Sequence, residues 1–196
     1  MLKKFLKENI GRIMRVIANQ VGIMFFAIIM TFTAGIMQEE LKGSMMLVAS
    51  LFSICFYLFL VFYCMREEGS RDSVKIEGGR LIYSPSYGFK IGLCAAAPNY
   101  VFVLLMLVGV ILGLGVDAEG ALTATAGRGV WTVGYTVITL LQSMYTGVLK
   151  LIVADFSPLA SVIAATVSYA LTPLLAPVAA GLGYMHGCKH PSRRRS

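Results

Sequence analysis

His186-x-Cys188-x-His190 is the one cluster in this chain whose residue types suit a metal ion. Imidazole and thiolate together favour zinc or a related transition ion. On a helix His186 and His190 share a face and Cys188 does not, so a compact site needs irregular backbone, which Gly187 and Pro191 permit. Three donors with no fourth at a recognisable spacing make a polar tail the expected reading, with neither metal nor cofactor bound.

A second constellation is a polar stripe. Arg128, Thr132, Thr136, Thr139, Ser143, Thr146 and Lys150 follow one another at steps of 4, 4, 3, 4, 3 and 4, which place all seven on one face of a helix. Such a stripe packs against other helices through hydroxyl hydrogen bonds, lines a wet cavity, or faces water from a helix lying flat in a membrane interface. Threonine and serine return their hydroxyls to carbonyls of their own helix at little cost, so the stripe alone does not call for a pore. Asp155 stands five residues beyond Lys150, within reach of an interfacial ion pair. Proton transport would need a chain of carriers, yet no Asp, Glu or His lies inside an apolar stretch. With no G-x-S-x-G, no H-E-x-x-H and no phosphate-binding glycine loop, the expectation is a protein without enzymatic activity.

The elements that must position these groups are membrane helices. Residues 16–37 are 22 without a charge and residues 43–65 another 23, each beyond the roughly 20 that cross a hydrocarbon core. Hydrophobic residues make up 57% of the chain and charged ones only 14%, against about a quarter in a soluble domain. The expected fold is an all-α integral membrane protein: about five membrane-embedded helices near 16–37, 44–65, 91–116, 130–153 and 158–185, of which four or five cross. Ahead of them, Leu2, Phe5, Leu6, Ile10, Ile13, Met14 and Ile17 recur at three- and four-residue steps between basic residues, the pattern of an amphipathic interfacial helix over 1–15. The first apolar run is too long for a signal peptide and no A-x-A-like site follows it, so it is expected to stay as an anchor.

Small residues and prolines punctuate the spans. Gly109-x-x-x-Gly113 with Gly115, and Gly181 with Gly183, leave faces suited to close helix packing. Pro98 beside Asn99 predicts a kink in the third segment, and Pro173 with Pro177 a bend or break in the fifth, which Ser157 caps and Pro158 opens. Between the second and third segments, residues 66–90 are expected to be a loop, in which Gly78-Gly79 with Glu77 and Arg80 fits either a small β-hairpin or irregular backbone on headgroups. Cys55, Cys64, Cys94 and Cys188 show no paired spacing and read as small hydrophobes.

Charge sets the topology. Of 17 basic residues, 14 cluster in three places: Lys3 to Arg15, Arg66 to Lys90, and the tail 186–196. Basic residues beside spans favour the cytoplasmic side and anionic headgroups, which argues against nucleic acid as a partner and places the N-terminus and loop 66–90 inside. If all five segments cross, the basic tail ends outside, against that bias. Four crossings put all three clusters on one side, and the polar 130–153 segment is the one expected to fail, although its length allows it to cross. The sequence leaves the side of the C-terminus open.

The basic start, tight hairpin, charged loop with Gly79-Arg-Leu-Ile-Tyr83 and closing Gly181-Leu-Gly-Tyr-Met-His-Gly187 resemble small uncharacterised multi-pass membrane proteins of bacteria. That resemblance implies a bacterial inner-membrane location and no particular activity. The expected role is an accessory or subunit protein of a membrane complex, with a membrane-protein partner or a second copy of itself. The alternative is a small-solute transport component resembling the membrane-embedded substrate-binding subunits of energy-coupling-factor importers, a reading that requires a central pocket and both termini inside.

Overall fold

The computed structural model describes residues 2–36, 39–115, 123, 125–153 and 156–190, and every regular element among them is helical. In chain order these are α1 (Leu2–Gly35), α2 (Glu39–Glu77), α3 (Tyr87–Ile111), α4 (Ala126–Leu141), α5 (Thr146–Val153), α6 (Pro158–Leu171) and α7 (Leu175–Lys189). Single 3-10 turns join α4 to α5 at Ser143–Tyr145 and α6 to α7 at Thr172–Leu174. Four stretches are long and apolar enough to cross a membrane: Phe5–Gly35, Gly43–Glu77, Tyr87–Ile111 and Pro158–Lys189. The pair α4 and α5 makes a fifth only if it is counted as one span, because the two axes meet at 87°.

Solvation is inverted relative to a water-soluble bundle. Phe25, Ile29, Phe32 and Ile36, at steps of four, three and four, form an exposed apolar stripe along α1 and the turn residue after it, with Phe32 at 70% and Ile36 at 72% exposure. Gln20, Ser50, Ser53 and Asn99 are meanwhile buried. An exposed stripe of large apolar side chains over buried polar ones is what lipid, and not water, stabilises.

Two helices are longer than a bilayer requires. The 34 residues of α1 extend about 50 Å and the 39 of α2 about 58 Å, against a hydrocarbon core of about 30 Å. The basic segment at the start of the chain is therefore not a separate helix but the first four turns of α1, continuous with the span. In the same way α2 runs on through residues 66–77, so the expected 66–90 loop shrinks to the connection at 78–86.

The glycine pair read as a possible hairpin turn closes this helix instead. Gly79 takes φ +70°, its N–H donates to Ile76 O at 3.0 Å, and Arg80 N donates to Lys75 O at 2.8 Å. This is a Schellman cap, which uses a left-handed glycine to satisfy two terminal carbonyls. At the other helix starts, the Ser157 hydroxyl accepts from Ala160 N with Pro158 in the first turn, as the sequence predicts, and the Thr125 hydroxyl accepts from Arg128 N.

The chain divides into two compact units, and α1, α2 and α3 contribute to both. The first comprises Met1–Gln20, Phe56–Ala97 and Leu174–Ser196. Within it α7 lies parallel to the end of α2: Gly183 meets the Phe62 backbone, and Gly187 meets the backbone of Arg66 and Ser70. On its other side α7 runs antiparallel to α3, where a Cβ on Gly92 would stand 2.6 Å from Pro177 Cα and one on Gly88 2.6 Å from Ala180 O. The start of α1, the end of α2, the start of α3 and the end of α7 are thus neighbours.

The second unit comprises Val21–Cys55 and Pro98–Pro173. Here α3 and α4 pair antiparallel, with Gly109 against Gly127 O and the Trp131 backbone, and Gly134 against Phe102 O. Gly147 of α5 sits on the α2 backbone at Met46.

Candidate functional site

In the first unit the apolar periodicity of α1 turns Asn9, Ile13 and Val16 inward, and Arg12 comes with them. On α2, Glu68 and Asp72 are four residues apart and so share a face. Both are buried, Asp72 at 1% exposure. The Arg12 guanidinium forks onto Asp72, Nη1 to Oδ2 at 2.6 Å and Nη2 to Oδ1 at 2.8 Å, while its Nε lies 3.1 Å from Glu68 Oε2. Arg15 adds a 2.6 Å bond to Glu68 Oε1, and Lys75 a 3.1 Å bond to Asp72 Oδ1.

Two tyrosines complete this cluster. Tyr184 of α7 donates to Asp72 Oδ2 at 3.3 Å, and Tyr87 of α3 accepts from Arg12 Nη1 at 3.0 Å while donating to Asn9 Oδ1. Four helix ends are bonded to one another through two carboxylates and a bidentate arginine. A fork of this kind fixes orientation as well as distance, which a lysine in place of Arg12 would not do.

In the second unit the polar groups lie along α4 and α6. Trp131 Nε1 donates to the Thr166 hydroxyl at 3.0 Å, the Thr139 and Tyr169 hydroxyls are 3.0 Å apart, and Thr172 donates to Gln142 Oε1. The last pair joins the 3-10 break after α4 to the one after α6. Gln142 is buried, and its Nε2 has no hydrogen-bond partner among the described residues. Ser143 donates to Met24 O at 3.1 Å, and Gly147 N to the Ser50 hydroxyl at 2.7 Å, so the segment beyond the bend is held by α1 and α2. A groove of about 450 Å3 opens beside this bend, walled by Ile28, Phe32, Ile36 and Met46 with Ser143 and Lys150.

The polar stripe expected on one helix is therefore split. Arg128, Thr132 and Thr136 are exposed on α4, and the two threonine hydroxyls return to Arg128 O and Thr132 O at 2.8 and 2.9 Å. Thr139 faces Tyr169, Ser143 is buried at the bend, and Thr146 and Lys150 follow on α5 at 87° to the rest. The suggested Lys150 pairing with Asp155 lies outside the described residues. Replacing Thr136 by valine is expected to change stability by less than about 0.5 kcal/mol, because only a bond within its own helix is lost. Thr166→Val removes the Trp131 acceptor and should cost about 0.6 kcal/mol with a shift in tryptophan emission, both read from fluorescence-monitored unfolding in detergent.

The His186 and His190 rings lie 5.0 Å apart between centroids with their planes tilted by 50°, whereas the Cys188 thiol bonds to Gly69 O at 3.4 Å. Among the described residues no three His, Cys, Asp or Glu side chains converge as a metal site would require. Gly109 meets α4, and Gly113 takes φ +95° just past the end of α3. Gly115 faces the Thr123 side chain, Gly181 rests on Phe89 and Gly183 on Phe62. Pro98 and the buried Asn99 sit inside α3, which is unbroken. Pro173 occupies the 3-10 turn after α6, and Pro177 lies within α7. Sequence reasoning missed the Arg12, Glu68, Asp72, Tyr87 and Tyr184 cluster. The four-residue spacing of Glu68 and Asp72 is the signal that could have found it.

The chain matches no protein-family model, and comparison with curated proteins and with solved structures gives no match.

Proposed function

We propose that this multi-pass helical membrane protein is a non-enzymatic subunit or accessory protein of a bacterial inner-membrane complex, with four crossings and both termini on the cytoplasmic side. The shared cluster of helix ends around Asp72 supports the parity, because the start of α1 and the end of α7 meet at one set of side chains. The bent pair α4 and α5 then enters and leaves the membrane on the same side. All three basic clusters fall on one side, in agreement with the positive-inside bias.

One observation carries the subunit role. Leu6, Ile10 and Met14 form an exposed apolar strip on the part of α1 that exceeds a bilayer's thickness, with Ile10 at 62% exposure beside basic residues. A strip of this kind docks on a neighbouring protein's surface or lies in anionic headgroups. Ile10→Gln with Met14→Gln should release a cross-linkable partner while the protein stays in the membrane fraction. Retention of every cross-linked species in that variant would refute the subunit role.

Topology is tested by single cysteines at Lys3, Gly43 and Ser192 in a cysteine-free background. An impermeant maleimide applied to intact cells should reach only the Gly43 position, and labelling at Ser192 would exclude four crossings. Same-sided termini and the groove beside the bend also favour the solute-transport reading. Thr139→Val with Ser143→Ala separates the two: loss of uptake at normal expression speaks for transport, and loss of the partner complex alone for a subunit.

A further inference from the structure

We propose that the groove beside the α4 and α5 bend is a binding site for one anionic phospholipid, with an acyl chain against α1 and the phosphate on Lys150. Its wall along α1 and the residue just past it runs from Ile28 to Ile36, eight residue steps or about 12 Å, and ends where that apolar stripe ends. That is the depth over which a lipid chain leaves the headgroup level and enters hydrocarbon. The lining is apolar apart from hydroxyls and Lys150. Of those hydroxyls, Ser143 donates to Met24 O and Thr139 bonds to Tyr169. Among the described residues the groove therefore offers a ligand a greasy channel and one cation, Lys150.

Lys150 supplies the charge complementarity. It is exposed, no carboxylate among the described residues lies within ion-pair distance, and it borders a second cavity of about 220 Å3 beside Tyr135 and Tyr169 as well as the main groove. A cation beside lipid-facing apolar surface is costly unless it reaches an anion or the interface. A phosphodiester in the adjoining leaflet meets both needs, and its chain fills space that no described side chain occupies. Gly35 borders the same groove, and a Cβ added there would meet nothing within 4 Å.

The test uses the full chain, purified in detergent, delipidated, and titrated with phosphatidylglycerol or phosphatidylcholine of matched chains under native mass spectrometry. Phosphatidylglycerol should be retained about fivefold better, the value of one lysine near an anionic headgroup. Lys150→Gln should abolish that preference, Lys150→Arg should keep it, and Gly35→Phe should lower retention of both lipids by filling the channel. Helix content by circular dichroism checks that each variant is folded, and the arginine and glycine variants decide the matter if the glutamine variant does not fold. Equal retention of the two lipids, an unchanged preference in Lys150→Gln, or indifference to Gly35→Phe would each overturn the proposal. So would tighter retention of a free fatty acid than of phosphatidylglycerol.

Discussion

Replacing Asp72 by alanine is expected to destabilise the protein by about 3 kcal/mol, measured as the loss of unfolding free energy in a mild-detergent denaturation series. The carboxylate is almost wholly buried and accepts from Arg12, Lys75 and Tyr184. Its removal leaves a partly buried guanidinium with Glu68 alone on the α2 side, and breaking one member of such a pair typically costs 3–5 kcal/mol. Arg71 and Glu67 provide the internal contrast. Their 2.7 Å pair is about half exposed on both sides, and Arg71 also reaches Glu68 at 3.6 Å, so the clean variant is Glu67→Ala, which should cost less than about 1 kcal/mol. Arg12→Met combined with Asp72→Leu should recover much of the loss, because paired replacement removes both desolvation penalties. Equal effects of Asp72→Ala and Glu67→Ala would show that the buried cluster does not hold the helix ends together.

Gly187→Val should be at least as damaging, with little folded protein recovered from the membrane. A Cβ at Gly187 would overlap the Arg66 carbonyl and stand 2.9 Å from Ser70 N, and both obstacles are backbone. No flexible side chain can give way, so α7 must part from α2. The Ser70 hydroxyl bond to Gly187 O at 3.3 Å would go with that contact. Overpacking of this kind costs about 1–3 kcal/mol or more. Gly11→Ala on α1 is the matching control: its Cβ would meet nothing within 4 Å, and helix propensity predicts a gain of up to about 1 kcal/mol. The contrast is read from the folded fraction eluting as a single species on size exclusion.

The spans were legible because length and apolarity decide them: 16–35 lies in α1 and 44–65 in α2, while residue 37 lies outside the described residues. Their overhangs were not. A charged helical extension and a charged loop have the same composition, and Arg66 to Glu77 is ordered as helix by pairings with Arg12 and Arg15, some 50 to 60 residues earlier. Gly78 and Gly79 announced a left-handed residue correctly, but the same signal serves a hairpin turn and a helix cap, and only the continuity of α2 separates them.

The break at Gln142 was hidden for a different reason. No proline or glycine marks it, so the three-and-four spacing from Arg128 to Lys150 runs through undisturbed. The chain bends there because Gln142, Ser143 and Tyr145 find partners on Thr172 and Met24 that a straight helix would deny them. Of the candidate residues, those tied to helix geometry were readable from spacing. Those tied to distant partners, Asp72 above all, were not.

The place of α7 in the chain dictates when the first unit can close. Its surfaces for α2 and α3 are supplied by residues 177–188, which a ribosome makes more than a hundred residues after Phe62 and more than eighty after Gly88. Until α7 has been made, its surfaces on α2 and α3 have no occupant, and Asp72 lacks its tyrosine donor. Nascent chains halted before residue 174 should therefore be the preferred prey of membrane quality-control proteases, whereas chains that include α7 should be spared.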